Sequence, residues 1–311
     1  MPLRRVILVH PRGFCAGVER AVSMVDRALA RHGRPLYCYR ELVHNRYVVD
    51  DLARRGVVFV DRLEDVPEGA AVVFSAHGVA PAVTAAAAAR GLRVIDATCP
   101  FVAKVHAEVR RFVRQGCTVL LIGHRGHDEV RGIVGEAPES IRVIENRSEA
   151  EVIAVPDAAA VAAVTQTTLS VTETAAVVAV LRRRFPALRT PAGSDICYAT
   201  QNRQEAVVEL AGRADLVLVL GAVNSSNTNR LVEVARAAGG RAELISRPEE
   251  LASLDLREVE TVGVTAGAST PESLVQDLVE ALRRRGATEV VEVSLGREDV
   301  HFDTPSGHAE G

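Results

Sequence analysis

Short apolar runs recur from one end of the chain to the other, and between most of them apolar residues return about every three or four positions. The first pattern is that of strands buried on both faces, the second that of amphipathic helices. The runs predict strands at Val6–His10, Leu36–Tyr39, Val57–Val60, Val72–Ser75, Leu92–Ile95 and Thr118–Ile122. Further strands are predicted at Ile141–Ile144, Val161–Thr165, Leu216–Leu220, Ala242–Ile245, Val262–Thr265 and Glu289–Val293. Helices are predicted over Val18–Arg31, Val102–Gln115, Val171–Phe185 and Glu272–Arg285, the last with Thr270 as N-cap and Pro271 in its first turn. β-Branched runs joined by helices imply an α/β chain whose strands are mainly parallel and covered on both faces. Segment length divides it into three similar α/β domains, 1–96, 97–192 and 193–296, followed by a polar, loosely held tail, 297–311. The Pro186–Ser194 stretch, with two prolines and a glycine, reads as a linker.

Composition narrows the functional classes. At 311 residues the chain can bury a core without disulfide or metal support. Its 37 basic and 40 acidic side chains nearly cancel, and no segment is strongly basic. Nucleic-acid and membrane-surface roles are therefore disfavoured. The N-terminal apolar stretch is too short for a signal peptide, and no apolar run reaches the roughly 18 residues of a membrane span. A cytoplasmic protein is expected. Five cysteines, an odd number, do not form a disulfide framework in a reducing compartment.

Three of those cysteines share a setting. Cys15, Cys99 and Cys197 each fall at a predicted turn just before a helix, where outward-pointing N–H groups favour a thiolate. Cys38, within a strand, and Cys117, after Gly116, read as buried filler. The three turn cysteines are expected to converge on one site. Three thiolates plus water would suit zinc, and three on an iron–sulfur cubane would leave one iron open; spacing does not choose between them.

Polar residues gather at the predicted strand ends, where α/β sites form. They are Val43-His44-Asn45, Ser75-Ala76-His77-Gly78, Gly123–Glu129 with His124 and His127, Thr165-Gln166-Thr167-Thr168, Asn224-Ser225-Ser226-Asn227 and Thr265-Ala266-Gly267-Ala268-Ser269. The last two have the small residues and hydroxyls of an anion cradle, although Asn227 and Ser269 would serve equally as helix N-caps. Neither a Walker A nor a GxGxxG pattern is present, which disfavours a nucleotide. Histidines beside a diphosphate would be charged donors, and Glu129 could supply a proton if burial raises its pKa.

These motifs, together with Gly13-Phe14-Cys15-Ala16-Gly17-Val18, Asp96-Ala97-Thr98-Cys99-Pro100 and Asp195–Gln204, resemble those of the 4-hydroxy-3-methylbut-2-enyl diphosphate reductases. These enzymes end the non-mevalonate isoprenoid pathway. The resemblance runs from about Val6 to Val293, with the motifs in order. It implies three α/β domains in a pseudo-threefold trefoil around a central [4Fe-4S] cluster. Cys15, Cys99 and Cys197 match the cluster ligands, with one iron open to the substrate hydroxyl. His44, His77, His127, Thr167, Ser225, Ser226, Asn227 and Ser269 match the residues that hold the allylic diphosphate, and Glu129 the proton donor. Thr167 joins Glu129 in relaying the proton. A ferredoxin or flavodoxin would supply two electrons, one at a time, and the products would be isopentenyl and dimethylallyl diphosphate.

There is one departure. The family reads Gly-His-Pro-Glu-Val-Glu-Gly around the acid, and this chain reads Gly126-His127-Asp128-Glu129-Val130-Arg131-Gly132. Asp128 and Arg131 would push the acidity of Glu129 in opposite directions, which bears on turnover rate more than on reaction type. A hydro-lyase on an open-iron cluster, needing no reductant, and a non-catalytic cluster or zinc sensor are the competing expectations. The anion-cradle loops argue against the sensor.

Overall fold

The computed structural model describes residues 3–296 and 298–303. Strands and helices alternate as the sequence pattern predicts. The first stretch holds β1 (Arg5–His10), α1 (Ala16–His32), β2 (Leu36–Tyr39), α2 (Arg46–Arg54), β3 (Val57–Val60), β4 (Ala71–Phe74), α3 (Pro81–Ala89) and β5 (Arg93–Asp96). Next come α4 (Pro100–Arg114), β6 (Thr118–Ile122), α5 (Asp128–Val134), β7 (Ile141–Ile144), α6 (Arg147–Val152), β8 (Val161–Thr165) and α7 (Val171–Arg184). The last stretch holds α8 (Tyr198–Ala211), β9 (Leu216–Leu220), α9 (Ser226–Ala237), β10 (Ala242–Ile245), β11 (Thr261–Ala266), α10 (Glu272–Arg284) and β12 (Glu289–Ser294). No helix among the described residues is long and apolar enough to cross a membrane.

All the strand pairs are parallel, and the three sheets repeat one connectivity. One sheet runs β3-β2-β4-β5 and another β7-β6-β8. The second gains a degenerate fourth position from a parallel bridge between Ala162 of β8 and Arg189. The third runs β10-β9-β11-β1-β12, so its fourth place is filled from the far end of the chain. In each sheet the segment in that fourth place leads to one of the turn cysteines.

The division by segment length puts β1 with residues 1–96. Hydrogen bonding instead puts it between β11 and β12, with Val6 opposite Val262 on one side and Val290 on the other. The reason is physical: Val6-Ile7-Leu8-Val9 is apolar on both faces and needs a neighbour on each edge as well as a cover above and below. The described chain forms two compact units. One takes the chain up to Val18, His44–Asp50 and Tyr198–His301; the other takes Glu19–Val43, Asp51–Cys197 and the chain from Phe302.

Alternation along the strands explains why the apolar runs are continuous. In β9, Leu216, Leu218 and Leu220 pack with Val6 and Leu8 against Leu274, Leu278 and Leu282 of α10. Val217 and Val219 face the other way, with Ile7 and Val9, against Val207 and Leu210 of α8 and Leu231 of α9. The sheet of β6 repeats this, with Leu120 and Ile122 on α7 and Val119 and Leu121 on α4.

Several boundaries differ from expectation. Pro271, not Thr270, takes the N-cap position of α10, without a side-chain bond; the Thr270 hydroxyl accepts from Asn45 at 3.3 Å and donates to the Leu220 carbonyl at 3.1 Å. The start of the tail is anchored: Glu298 bonds Asn202 and Arg203, and the Phe302 ring meets Phe101 edge-on at 5.9 Å. Arg297 and residues 304–311 of the expected tail lie outside the described residues.

Gly263 in β11 shows how tightly sheet and helix are packed. A Cβ there would lie 2.6 Å from Cγ of Leu210. Gly263→Ala is expected to cost about 1–3 kcal/mol by overpacking. Adding Leu210→Ala should make the double variant less destabilised than the sum of the singles, because the two share one space. Urea unfolding of the three variants measures both effects.

Candidate active site

The three turn cysteines are placed by one repeated device. Cys15, Cys99 and Cys197 immediately precede α1, α4 and α8. Each gives its backbone N–H to a carbonyl two residues beyond the end of the adjacent parallel strand. Cys15 donates to Ala268 at 3.3 Å, past β11; Cys99 to Ala76 at 3.0 Å, past β4; Cys197 to Thr167 at 3.1 Å, past β8. All three are half-buried thiols at a helix N-terminus. Cys38 and Cys117 are fully buried in strand and core, and burial pushes the Cys38 thiol far above its ordinary range. They are packing residues, as expected.

In the unit that holds β2 to β8, Glu129 and Thr167 come together. Glu129 is 1% exposed. Its two oxygens accept from the Thr167 backbone N–H at 2.7 Å and the Thr167 hydroxyl at 2.9 Å. Burial raises the Glu129 pKa to about 7; the two Thr167 hydrogen bonds oppose the rise and Asp195 adds to it. His127 caps α5, its Nδ1 accepting from the Glu129 N–H at 3.2 Å, so a proton on the neutral ring belongs on Nε2. The His77 and His127 rings meet edge-on at 5.6 Å. The Ser75 hydroxyl sits 3.4 Å from Nδ1 of His77.

The departure at Asp128 and Arg131 resolves locally. Asp128 is paired with Arg40 and, at 3.5 Å, with Arg131. Its charge is thus taken up by two guanidinium groups, and the acidity of Glu129 is governed by its own burial, by Thr167 and by Asp195.

In the other unit, two loops and a helix N-terminus form a polar cradle. Ser225 caps α9, accepting from the Thr228 N–H at 3.3 Å; Asn227, expected as a possible cap, lies inside the helix. Ser226 opens the helix, and the Asn227 carboxamide oxygen accepts from Thr200 at 3.5 Å. Ser269 does not cap α10 either; its hydroxyl donates to the His44 carbonyl at 3.0 Å. Asn45 donates to the Thr270 hydroxyl at 3.3 Å, stitching the His44 loop to the same turn. Cβ atoms at Gly221 and Gly267 would come within 2.4 and 2.2 Å of the Thr228 hydroxyl, so both loops close onto that side chain. Asn227 Nδ2 and the hydroxyls of Thr228 and Thr265 are buried without a protein partner.

Sequence reasoning assigned no individual role to several residues that hold these loops in place. Asp195, two residues before Cys197, accepts from the Thr165 N–H at 3.2 Å and pairs with Lys104 at 3.2 Å; burial raises its pKa. Gln166 holds the His124 N–H at 3.0 Å and the Thr168 hydroxyl at 2.9 Å. Thr228 was concealed because it reads as an ordinary helix residue. Burial raises the Tyr198 phenol above its ordinary range; Cys15 and Glu298 add to the rise and Arg203 opposes it, which puts all three groups near its hydroxyl. The signal for Asp195 was its place in the motif before Cys197.

Comparison with known proteins gives one consistent result. The LytB protein family profile matches residues 6–283. The 4-hydroxy-3-methylbut-2-enyl diphosphate reductase of Rhodococcus opacus is 52% identical over 97% of this chain and 90% of that protein. That of Tropheryma whipplei is 51% identical over 99% of this chain and 98% of that protein. The structure of the E-1-hydroxy-2-methyl-but-2-enyl-4-diphosphate reductase from Plasmodium falciparum superposes with a TM-score of 0.90 at 34% identity, covering 99% of this chain and 96% of that one.

The buried acid makes stability depend on pH. The folded chain keeps the Glu129 proton up to about pH 7, while the unfolded chain releases it near the ordinary value of 4.5. Stability from this group is therefore whole below about pH 4.5, falls as pH rises towards 7, and is constant beyond. Glu129→Gln should match the parent near pH 4.5 and exceed it by roughly 3 kcal/mol at pH 8. Denaturant unfolding of reduced protein at the two pH values measures the difference.

Proposed function

The chain belongs to the LytB family, and from that premise we propose that it is a 4-hydroxy-3-methylbut-2-enyl diphosphate reductase of isoprenoid biosynthesis. The reaction removes the allylic hydroxyl as water, using two electrons and two protons, and gives isopentenyl and dimethylallyl diphosphate. The observation that carries the reading is the repeated seating of Cys15, Cys99 and Cys197. Three thiols of one chemical kind, each at a helix N-terminus and each pinned by its own amide, suit a metal–sulfur group with one position left for substrate. Bound there, a [4Fe-4S] cluster supplies the electrons and a Lewis-acidic iron.

The chain's own residues bind and protonate. His44, Ser225, Ser226, Asn227 and Ser269 hold the diphosphate, with the α9 N-terminus adding its partial positive charge. The unpartnered donor of Asn227 and the hydroxyls of Thr228 and Thr265 support this, since burying such groups unsatisfied costs about 1–3 kcal/mol each. His77 and His127 contact the substrate from their own loops. Glu129, close to half-protonated at neutral pH, gives its proton to the Thr167 oxygen as the Thr167 hydroxyl proton passes to the leaving oxygen. Binding energy from the diphosphate, remote from the bond broken, serves orientation. A ferredoxin or flavodoxin delivers the electrons singly. Five thiols, an odd number, suit a reducing cytoplasmic compartment.

Anaerobic reconstitution should give about four irons per chain and no stoichiometric zinc. Cys15→Ser, Cys99→Ser and Cys197→Ser should each lose that iron, and Cys38→Ser should keep it. Glu129→Gln should keep both iron and KM and lose about 100- to 10,000-fold in kcat with a viologen reductant. Full iron content in all three cysteine variants would refute the reading.

A further inference from the structure

Each helix that follows a turn cysteine carries a cation early in its length: Arg20 on α1, Lys104 on α4 and Arg203 on α8. Each of these cations reaches the turn of a different cysteine. Arg20 donates to the Thr98 carbonyl at 3.0 Å, in the residue before Cys99. Lys104 donates to the Ser194 carbonyl at 2.9 Å and pairs with Asp195, ahead of Cys197. Arg203 donates to the Gly13 carbonyl at 2.8 and 3.2 Å and to the Phe14 carbonyl at 3.3 Å, ahead of Cys15. The order is cyclic along the chain: the helix after Cys15 serves Cys99, the helix after Cys99 serves Cys197, and the helix after Cys197 serves Cys15.

The contacts have a common mechanical effect. A peptide group points its carbonyl and its N–H in opposite directions. At the Phe14–Cys15 peptide the carbonyl is held by Arg203 and the N–H by Ala268. At the Thr98–Cys99 peptide the carbonyl is held by Arg20 and the N–H by Ala76. Both peptides are gripped at both ends, which fixes the direction of the thiol-bearing Cα. At Cys197 the grip comes two residues earlier, through Lys104 on the Ser194 carbonyl and on the Asp195 carboxylate, and the Ser194 hydroxyl donates to the Ile196 carbonyl at 3.2 Å.

Electrostatics adds a second effect. Arg203 is 0% exposed, and a guanidinium stays charged even there. Its remaining bonds go to the Ala199 carbonyl at 3.0 Å and to Glu298 at 2.8 Å. Away from bulk water a unit charge acts over many ångströms. Positive charge beside a metal–sulfur group favours its reduced, more negative state, and Glu298 opposes that.

We propose that Arg20, Lys104 and Arg203 form a set of positioning residues that aim the three cysteines and make the cluster easier to reduce. This rests on the cluster reading above. If wild-type protein takes up no iron, that reading fails by itself. If it takes up iron, redox titration followed by EPR tests the set directly. Arg20→Gln and Lys104→Gln, both at partly exposed side chains, should each lower the reduced-to-oxidised ratio at fixed poise about tenfold, which is about 59 mV for one electron. Glu298→Gln should move the ratio in the opposite direction. Arg20→Lys should restore the wild-type ratio. Arg203→Gln, at the most buried site, should also lose iron faster to a chelator. An unchanged ratio in Arg20→Gln and Lys104→Gln would overturn the proposal. So would equal shifts in Arg20→Lys and Arg20→Gln, which would mark the contact as shape alone.

Discussion

Cys15, Cys99 and Cys197 hand their amide hydrogens to carbonyls that sit at the same point in three different sheets. That bond exists only because each cysteine follows a segment laid parallel to a neighbouring strand. Parallel pairing brings two consecutive strand ends to the same edge of a sheet. One end then carries a thiol and a helix start, and the other carries a polar loop. The loops so presented are the ones that hold His77, Thr167 and Ser269. The placing of the three turn cysteines and the placing of these polar loops are therefore not separate problems in this chain. One backbone contact, used three times, settles both.

Glu129 shows the same economy at the level of a side chain. Its helix is started by His127, its oxygens are held by the residue whose carbonyl also holds Cys197, and its burial keeps its proton available near neutrality. Thr167 thus serves with three different atoms: its carbonyl anchors the turn of a thiol, and its N–H and hydroxyl each donate to one oxygen of the acid. A substitution there would disturb all of these together. The loss could not be divided among them by a single measurement.

Much of this was legible in the sequence. Strands such as Leu216–Leu220 and Thr118–Ile122 matched residue for residue, because both faces are buried and the run is unbroken. The polar motifs expected at strand ends do stand there. What was hidden depended on partners far away in the chain. Nothing in Val6–Val9 says that it pairs with β11 and β12, and Arg189 does not read as a strand at all. The cap of α10 differed from expectation because the Thr270 hydroxyl is engaged by Asn45 and Leu220, both far away in the chain. Arg20 and Lys104 were not singled out, and Arg203 only within the Asp195–Gln204 motif, because a charge gives no sign in the sequence of which carbonyl it will meet.

The place of β1 in the last sheet has a consequence for how the molecule is made. Cys15 leaves the ribosome long before Ala268, whose carbonyl pins it. At synthesis speeds of about 5–20 residues per second, the wait is on the order of tens of seconds. Through that interval the nascent polypeptide carries one unseated thiol, while the strands around Cys99 have already been made. The sheet that holds β1 therefore closes only after β11 and β12 have been made.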